Sequence, residues 1–220
     1  MRVAAWVWTA PAAAVLAVGL VLWGDENGRE RPDFSPEPVE VLVSDVTLRI
    51  PTNALRFVGQ RRPGAHGRLD LALSWPDLEG RTAENNDRFD AAAATSDIVW
   101  ISIQPRGEAI DGASRLAGVY ARLFVGEPWD GPVGLQGRRL SAKAGYAGEE
   151  IFFEPGAVRP FVARCYPLAL GEPISTCIHD AVIGSLLVTW RFRRGLLDDW
   201  PHLTEAVGAR MAQWGLPARR

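Results

Sequence analysis

An uncharged stretch near the N-terminus constrains this chain more than any other feature of its sequence. It runs from Val3 to Trp23, and its length of about 21 residues corresponds to roughly 30 Å of helix, the thickness of the hydrocarbon core of a bilayer. Trp6 and Trp8 lie near one end and Trp23 at the other, as in the aromatic belts at membrane interfaces. The sequence therefore predicts a transmembrane signal anchor over residues 1–24, surrounded by membrane lipid.

The charges on either side of this stretch predict its orientation. Arg2 and the N-terminal amine precede it, whereas Asp25 and Glu26 follow it directly. Because positively charged flanks stay on the cytoplasmic side of the membrane, we expect a single-pass protein of the inner membrane. Its N-terminus would lie in the cytoplasm and the rest of the chain in the periplasm.

A cleaved signal peptide is the alternative interpretation, since the Ala-rich run from Ala12 to Ala17 resembles the hydrophobic region of such peptides. The end of the stretch favours retention, because cleavage requires small residues at positions −3 and −1 and Leu22 precedes Gly24 here. A lipoprotein anchor is excluded because no cysteine lies directly after the stretch, where the lipid would be attached. Both remaining interpretations export the rest of the chain.

The exported part divides into a linker and one domain. Residues 25–38 are polar and contain three prolines, a composition typical of an extended linker. Residues 39–220 then provide enough chain for one domain with a hydrophobic core. The formal net charge of −2, with both signs interspersed, argues against a nucleic-acid-binding protein, which would present a basic face.

Patterns of apolar residues predict that strands dominate this domain. Two short runs on either side of Ser44-Asp45 predict a hairpin over Val39–Ile50. The segment Asp97–Gln104 is apolar on both faces, which is typical of a central strand. Further strands are predicted over residues 69–75, 149–154, 160–166 and 182–193.

Two helices accompany the predicted strands. Ala113–Phe124 carries an apolar stripe at helical spacing, and a second stripe follows Pro201 and ends before Gly215. The regular alternation of strand and helix that builds parallel sheets is missing from the sequence. We therefore expect an α+β fold, in which one transmembrane helix precedes a mostly antiparallel β-sheet backed by an inserted helix and a C-terminal amphipathic helix.

Cys165 and Cys177 are the two cysteines of the chain. An exported domain lies in a compartment where disulfides persist, and a bridge over this short loop would contribute roughly 3 kcal/mol in the chain-entropy model. A redox-active pair is the alternative, but such pairs usually have the closer Cys-x-x-Cys spacing. We expect a structural disulfide that connects the end of one strand to the start of the next.

A loop with three arginines and a histidine is the first candidate for ligand or partner contact. Arg61, Arg62, His66 and Arg68 lie there among glycines, and guanidinium and backbone N–H groups of such a loop bind anions. A solvated turn between two strands is the alternative, and the sequence favours it. Trp129, in a loop rich in proline and glycine, is the second candidate, either as a contact to a partner or as a lid over the core.

The sequence contains no recognisable catalytic, cofactor or metal motif. Its three histidines do not lie at metal-ligand spacing, and it has no Gly-x-Ser-x-Gly element. The pair His179-Asp180 is too short a pattern to indicate catalysis, and turn chemistry at a strand start explains it more simply. We therefore expect no cofactor, no metal and no enzymatic activity.

Three motifs follow one another along the domain: Ile50-Pro51-x-Asn53-x-Leu55-Arg56-Phe57, then Leu73-x-Trp75-Pro76-Asp77-Leu78-x-Gly80, and Trp190-x-Phe192 with Leu196 and Trp200. Their order resembles that of a group of uncharacterised membrane-anchored proteobacterial envelope proteins, and the resemblance covers most of the exported domain. It implies no particular activity. The order of sheet and C-terminal helix is also similar to the PsbP-like sandwich, which implies an accessory or assembly role by analogy of fold.

These observations lead to two hypotheses of function. The first is a non-catalytic, membrane-anchored periplasmic accessory or interaction protein with a protein partner in the envelope, such as a subunit or assembly factor of an inner-membrane complex. The second is a periplasmic binding module for a small anionic or cell-wall ligand, with the arginine loop as its site. An unrecognised hydrolase is a third and more distant alternative.

Retention of the N-terminal stretch is directly testable. We expect mass spectrometry of the protein isolated from membranes to detect peptides from residues 1–24, because the cleavage site is poor. A mature chain that begins at Asp25 would contradict the anchor and favour the cleaved signal peptide.

Overall fold

The structure, a computed structural model, describes residues 30–90, 97–166 and 176–217. The predicted anchor over residues 1–24, with Trp6, Trp8 and Trp23, lies outside these residues. Within the described ranges, no helix is both long and apolar enough to span a bilayer.

A small sheet begins the domain, and its strands are β1 (Pro38–Val43), β2 (Val46–Pro51) and β3 (Gly64–Ala65). The first two strands form the predicted hairpin, with Val43 opposite Val46 across the turn. Ser44 adopts a positive φ of 56° in this turn, as tight hairpin turns require. Alternate residues of both strands are buried, so one face of the hairpin belongs to the core.

Eight further strands form the large sheet: β4 (Leu69–Ser74), β5 (Ile98–Pro105), β6 (Phe124–Asp130), β7 (Gln136–Leu140), β8 (Glu150–Phe153), β9 (Val162–Cys165), β10 (Thr176–Ile183) and β11 (Leu186–Arg193). Their spatial order is β4-β5-β11-β10-β9-β8-β7-β6. Every pair of neighbours is antiparallel. The part of the chain that the structure describes therefore confirms the predicted mostly antiparallel α+β domain.

Three α-helices join these strands within the described residues: α1 (Asn86–Asp90), α2 (Gly112–Gly118) and α3 (Trp200–Gln213). The inserted and C-terminal helices that the sequence predicts are α2 and α3. The inserted helix is shorter than the predicted Ala113–Phe124, since α2 ends at Gly118, a 3-10 turn follows and Phe124 begins β6. α3 buries Leu203, Val207 and Met211, which recur at helical spacing along one face. Its end is fixed by a hydrogen bond of 2.9 Å from the N–H of Arg49 in β2 to the carbonyl of Trp214.

The two faces of the large sheet have different coverings. One face, the core face, packs against β1, β2 and α3 in the main hydrophobic cluster, to which Ile101, Val188 and Phe192 contribute. On the other face a smaller cluster includes Ile151 and Val162, packed under α2 and the turn that follows it. The chain between β5 and β6 reaches the far edge of the sheet through α2.

The expectation of one continuous strand over residues 182–193 is wrong. Gly184, with φ of +59°, and Ser185 form a turn between β10 and β11, and the N–H of Arg106 donates to the Ser185 carbonyl at 2.7 Å. Apolar residues lie on both sides of this turn, so the pattern concealed it. A strand start near Cys177 was expected, but the extent of β10 from Thr176 to Ile183 and the hairpin of β6 and β7 were not predicted.

The predicted disulfide is confirmed, since Cys165 and Cys177 are bonded in the structure. The two residues lie directly opposite each other in the pairing of β9 with β10, with their Cα atoms 4.0 Å apart. The bridge therefore connects the last residue of one strand to the beginning of the next. Most of the loop between the two cysteines, residues 167–175, lies outside the described residues.

The end of the predicted linker packs along the domain. Glu30 forms an ion pair with Arg56. The carbonyl of Ser35 accepts a hydrogen bond of 3.1 Å from the N–H of Asn53, and the carbonyl of Glu37 accepts one of 3.0 Å from Thr52. Residues 30–37 are thus attached to the segment between β2 and β3 by backbone hydrogen bonds and charge.

Trp129 lies on the core face, where its indole covers Gly137 of the neighbouring strand β7. The ring also contacts Phe152 edge-on, with centroids 5.9 Å apart. A Cβ atom at position 137 would collide with the indole, so only glycine allows this approach.

We expect Gly137→Ala to lower the free energy of unfolding by about 1–3 kcal/mol, because the added methyl group displaces the Trp129 ring from its packing. Urea denaturation monitored by tryptophan fluorescence measures the change. Gly208→Ala is the matched control: this exposed glycine of α3 has no atom near its missing Cβ. Alanine there should stabilise the protein by about 0.5–1 kcal/mol. Equal effects of the two substitutions would contradict the packing described for Trp129.

Candidate functional site

The face of the large sheet opposite the core face carries the candidate site. Because side chains alternate along a strand, the burial of Ile101 and Val188 in the core directs Trp100, Ser102, Thr189 and Arg191 to this side. We call this side, over β5, β11 and β10, the open face, because Trp100, Ser102 and Thr189 are half-buried and Arg191 is exposed.

The pairing of the strands places these side chains in rows across the open face. Trp100 lies opposite Arg191, which in turn lies opposite Ile178 of β10. Ile178 lies opposite Arg164 of β9. Neighbours in such a row have Cβ atoms about 5 Å apart, so guanidinium groups and apolar side chains alternate across the sheet.

Arg191 is the exposed centre of this row. It makes no ion pair and no side-chain hydrogen bond with the residues that the structure describes. Arginine beside tryptophan is the composition found at the energetic centres of protein interfaces, since both side chains combine large area with directional contacts. The open face therefore presents an unpaired cation next to aromatic and aliphatic surface.

A pocket of about 250 Å³ lies beside this row, between α2 and the sheet. We call it the α2 pocket. Its polar lining consists of Arg115, Tyr120, Tyr146, Arg164 and Asp180. Val119, Val162 and Ile178 form its apolar walls. A pocket of this kind accommodates one side chain of a partner rather than a large ligand.

Asp180 attaches α2 to the sheet. Its carboxylate, with a side chain only 10% exposed, accepts a hydrogen bond of 2.5 Å from the N–H of Gly112 and forms an ion pair with Arg115. A Cβ atom at Gly112 would lie 3.2 Å from Val162 Cβ, so glycine permits this close approach of the helix to β9. The first turn of α2 is thereby fixed against β9 and β10.

Arg115 is oriented from several directions. Its Nε donates to the Tyr120 hydroxyl at 3.2 Å, and its Nη1 donates to the carbonyl of Ile110 at 2.6 Å. Burial lowers the pKa of Arg115, but the attraction of Asp180 and the charge and hydrogen bond of Tyr120 outweigh it, so that the pKa is raised overall. The guanidinium therefore stays charged inside the pocket.

Arg164 completes the charged wall of the pocket. Its guanidinium donates to the hydroxyl of Tyr166 and lies 3.4 Å from the carboxylate of Glu149. Two contacts use only part of the five N–H donors of an arginine.

A second depression, the arginine groove, borders the open face on the side of β4. It holds about 260 Å³, and Arg56, Arg61, Arg81 and Trp100 are part of its lining. Arg56 stacks over Trp100 with its guanidinium carbon 4.3 Å from the ring centroid, which joins the groove to the open face. Burial lowers the pKa of Arg61, partly offset by the charge of Asp33.

Acidic partners neutralise this groove. Arg56 pairs with Glu30, and Arg81 lies 2.9 Å from the carboxylate of Asp90. Arg61 lies 3.8 Å from the Asp33 carboxylate and donates to backbone carbonyls, among them that of Leu55 at 2.8 Å. The groove is therefore a set of internal ion pairs rather than a concentration of free positive charge.

The four residues of the predicted arginine loop do not converge on one point. Arg61 faces into the arginine groove, whereas Arg68 forms a hydrogen bond of 2.9 Å with Asp70 at the start of β4. His66 Nε2 lies 2.8 Å from the carbonyl of Arg62, and Arg62 is exposed. Trp129, the other predicted contact, lies on the opposite side of the sheet from the open face.

The histidines do not form a metal or catalytic group in the described ranges. Those ranges contain no group of three or more His, Cys, Asp or Glu side chains placed to hold a metal ion. His179 lies within β10, stacked between Phe161 at 4.6 Å and Trp190 at 4.3 Å between ring centroids. The interpretation of His179-Asp180 as turn residues is wrong: strand alternation places His179 on the core face and Asp180 in the α2 pocket.

Sequence reasoning missed the residues of the open face. Arg164, Asp180 and Arg191 are scattered along the chain, and antiparallel pairing brings them together. One signal was available, since each is a charged residue within a strand that is rich in apolar residues. Such residues lie on the face of a sheet that is not packed in the core.

Comparison with known proteins gives similarity at the level of the fold. The chain matches no protein-family model and no curated protein. An immunity protein of the Stenotrophomonas maltophilia type IV secretion system is similar in structure, with a TM-score of 0.58 and 19% identity over 85% of this chain and 97% of that one. The Neisseria meningitidis iron-regulated outer membrane lipoprotein FrpD is also similar, with a TM-score of 0.52 and 10% identity over 86% of this chain and 97% of its own.

We expect Asp180→Ala to destabilise the protein by about 2 kcal/mol, because it removes the acceptor of the Gly112 N–H and leaves Arg115, 28% exposed, without its carboxylate. Thermal or urea denaturation measures the loss. Asp90→Ala is the control, since Asp90 is 59% exposed in its pair with Arg81 and should cost less than about 1 kcal/mol. Equal costs would show that Asp180 does not attach α2 to the sheet.

Proposed function

We propose that this protein is a non-catalytic interaction protein of the cell envelope. Its domain would bind a protein partner on the open face, and the N-terminal stretch would hold it in the inner membrane with the domain in the periplasm. The observation that carries the proposal is the open face itself, where an unpaired Arg191 lies between Trp100 and Ile178.

Surface chemistry supports a protein as the partner. Interfaces between proteins are enriched in tryptophan, tyrosine and arginine at their centres, with a polar surround. The open face has Trp100 and Arg191 in its middle, and the α2 pocket adds Tyr120 and Tyr146 beside them. Contact with membrane lipid alone does not account for a surface that combines aromatic rings with an exposed arginine.

The similar structures support the same class of function. One is an immunity protein of a secretion system and the other an outer membrane lipoprotein. We propose that the present chain acts by binding a protein, and that an immunity role is the first to test among the interaction roles. In that role the partner would be a secreted protein that reaches the periplasm.

The small-anion hypothesis receives less support from the geometry. The arginines of the groove have acidic or carbonyl partners, so an added anion would compete with ion pairs that already exist. The proposed membrane anchor and the resemblance to proteobacterial envelope proteins are part of the interaction hypothesis as well, because both would put the domain in the compartment that exported partners reach.

Site-specific photo-crosslinking tests the proposed function. A benzophenone amino acid replaces Thr189, in the middle of the open face, in the full chain expressed in its native cells. We expect irradiation to produce one defined adduct with a protein, because a partner on this face covers position 189. Electrophoresis and mass spectrometry identify the adduct.

Position 47 provides the matched control. Thr47 is an exposed threonine on β2, in the small sheet and away from the open face. The same amino acid there should give at most a tenth of the adduct. Absence of an adduct at position 189 under conditions in which the protein is present at native level would refute partner binding through this face.

A further inference from the structure

We infer that the partner presents an acidic side chain, which binds over Ile178 between Arg191 and Arg164 at the mouth of the α2 pocket. This inference rests on the proposed function and names the chemistry of the contact. It assigns the centre of the interface to a single carboxylate of a protein.

The geometry of the row gives the reason. Arg191 and Arg164 are the two cross-strand neighbours of Ile178, one on β11 and the other on β9. Directly opposite residues have Cβ atoms about 5 Å apart, so the two arginines begin about 10 Å from each other. Each side chain is long enough to reach the space above Ile178. Two guanidinium groups on either side of an aliphatic floor form a clamp for a carboxylate.

The balance of charge around this point is positive. Arg115, Arg164 and Arg191 surround it, whereas Asp180 and Glu149 are its acidic neighbours. Both acids have arginine partners, Arg115 for Asp180 and Arg164 for Glu149, and Arg191 has none within the described residues. An incoming carboxylate therefore supplies the missing negative charge, while an incoming cation would face Arg191 directly.

Exposed aliphatic side chains near the start of α2 indicate a protein rather than a free carboxylic acid. Ile110 is 44% exposed and Val158 fully exposed. Ile110 directly precedes Asp111, the N-cap residue of α2, and Arg159, next to Val158, approaches the carboxylate of Asp111 at 3.7 Å. Exposed aliphatic side chains at this end of α2 provide contact area for the residues that flank the acidic side chain.

The composition of the chain permits a direct chemical test. Lys143 is its single lysine, so the K143R background has no lysine amine. R191K then introduces one amine at the clamp. A carbodiimide activates a partner carboxylate, and the amine displaces the resulting urea to form an amide. This coupling has no spacer and requires that amine and carboxylate be in contact.

In membranes from native cells, we expect K143R/R191K to form an amide with an Asp or Glu of the same protein that the crosslinker at Thr189 captures. The control is K143R/R49K, since Arg49 is an exposed arginine of β2 whose side chain has no ion pair or hydrogen bond in the described ranges. It should give less than a tenth of that coupled product. Mass spectrometry of the linked peptides identifies the acidic residue.

The charge-reversal variant R191E provides a second readout in the chain with the Thr189 crosslinker. We expect it to reduce photo-adduct formation at least tenfold, whereas R49E leaves the yield unchanged. The inference of a partner carboxylate would be wrong if the photo-adduct formed normally, no carbodiimide coupling occurred and R191E had no effect on the yield. That outcome would leave the proposed function intact. If the chain with the crosslinker at position 189 and no other substitution gave no photo-adduct, both the partner carboxylate and the proposed function would be refuted.

Discussion

The pairing of β5 with β11 is the contact on which the large sheet depends. It joins residues 98–105 to residues 186–193, far apart in sequence, and without it the antiparallel pair β4 and β5 would be separate from the six-stranded meander β6 to β11. Such a long-range contact closes a large loop, and the apolar residues buried on the core face offset the entropy that this closure costs. Ile101 and Trp190 face each other in this pairing and are both buried.

The pairing of β5 with β11 also determines which side chains lie on the open face of the large sheet. Because successive side chains of a strand point to opposite faces, the burial of Ile101 and Trp190 in the core directs Trp100 and Arg191 to the open face. A shift of register by one residue would bury a guanidinium in the core, which is costly for an unpaired charge. The composition of the open face is thus a consequence of how the core is packed, and the α2 pocket is added to it by the contact of Asp180 with the first turn of α2.

Much of the fold follows from the sequence, because periodic burial leaves a local pattern. The hairpin at Ser44-Asp45, the central strand β5 and the C-terminal helix are examples. The turn at Gly184 was missed since apolar residues continue on both sides of it. The disulfide could be predicted because an exported chain with two cysteines offers one intramolecular pairing. The candidate site could not be predicted, since Arg164 and Arg191 come to lie on either side of Ile178 only through the pairing register of β9, β10 and β11, which the sequence pattern does not give.

The attachment of residues 30–37 to the domain sets the length of the tether in the proposed anchored form. Only residues 25–29 would separate the anchor from Glu30, and five extended residues reach at most about 18 Å. The domain would then work within one protein diameter of the bilayer, with little freedom to turn away from it. A partner that arrives at the membrane surface would meet it at a high effective concentration, so that even a modest intrinsic affinity gives efficient capture.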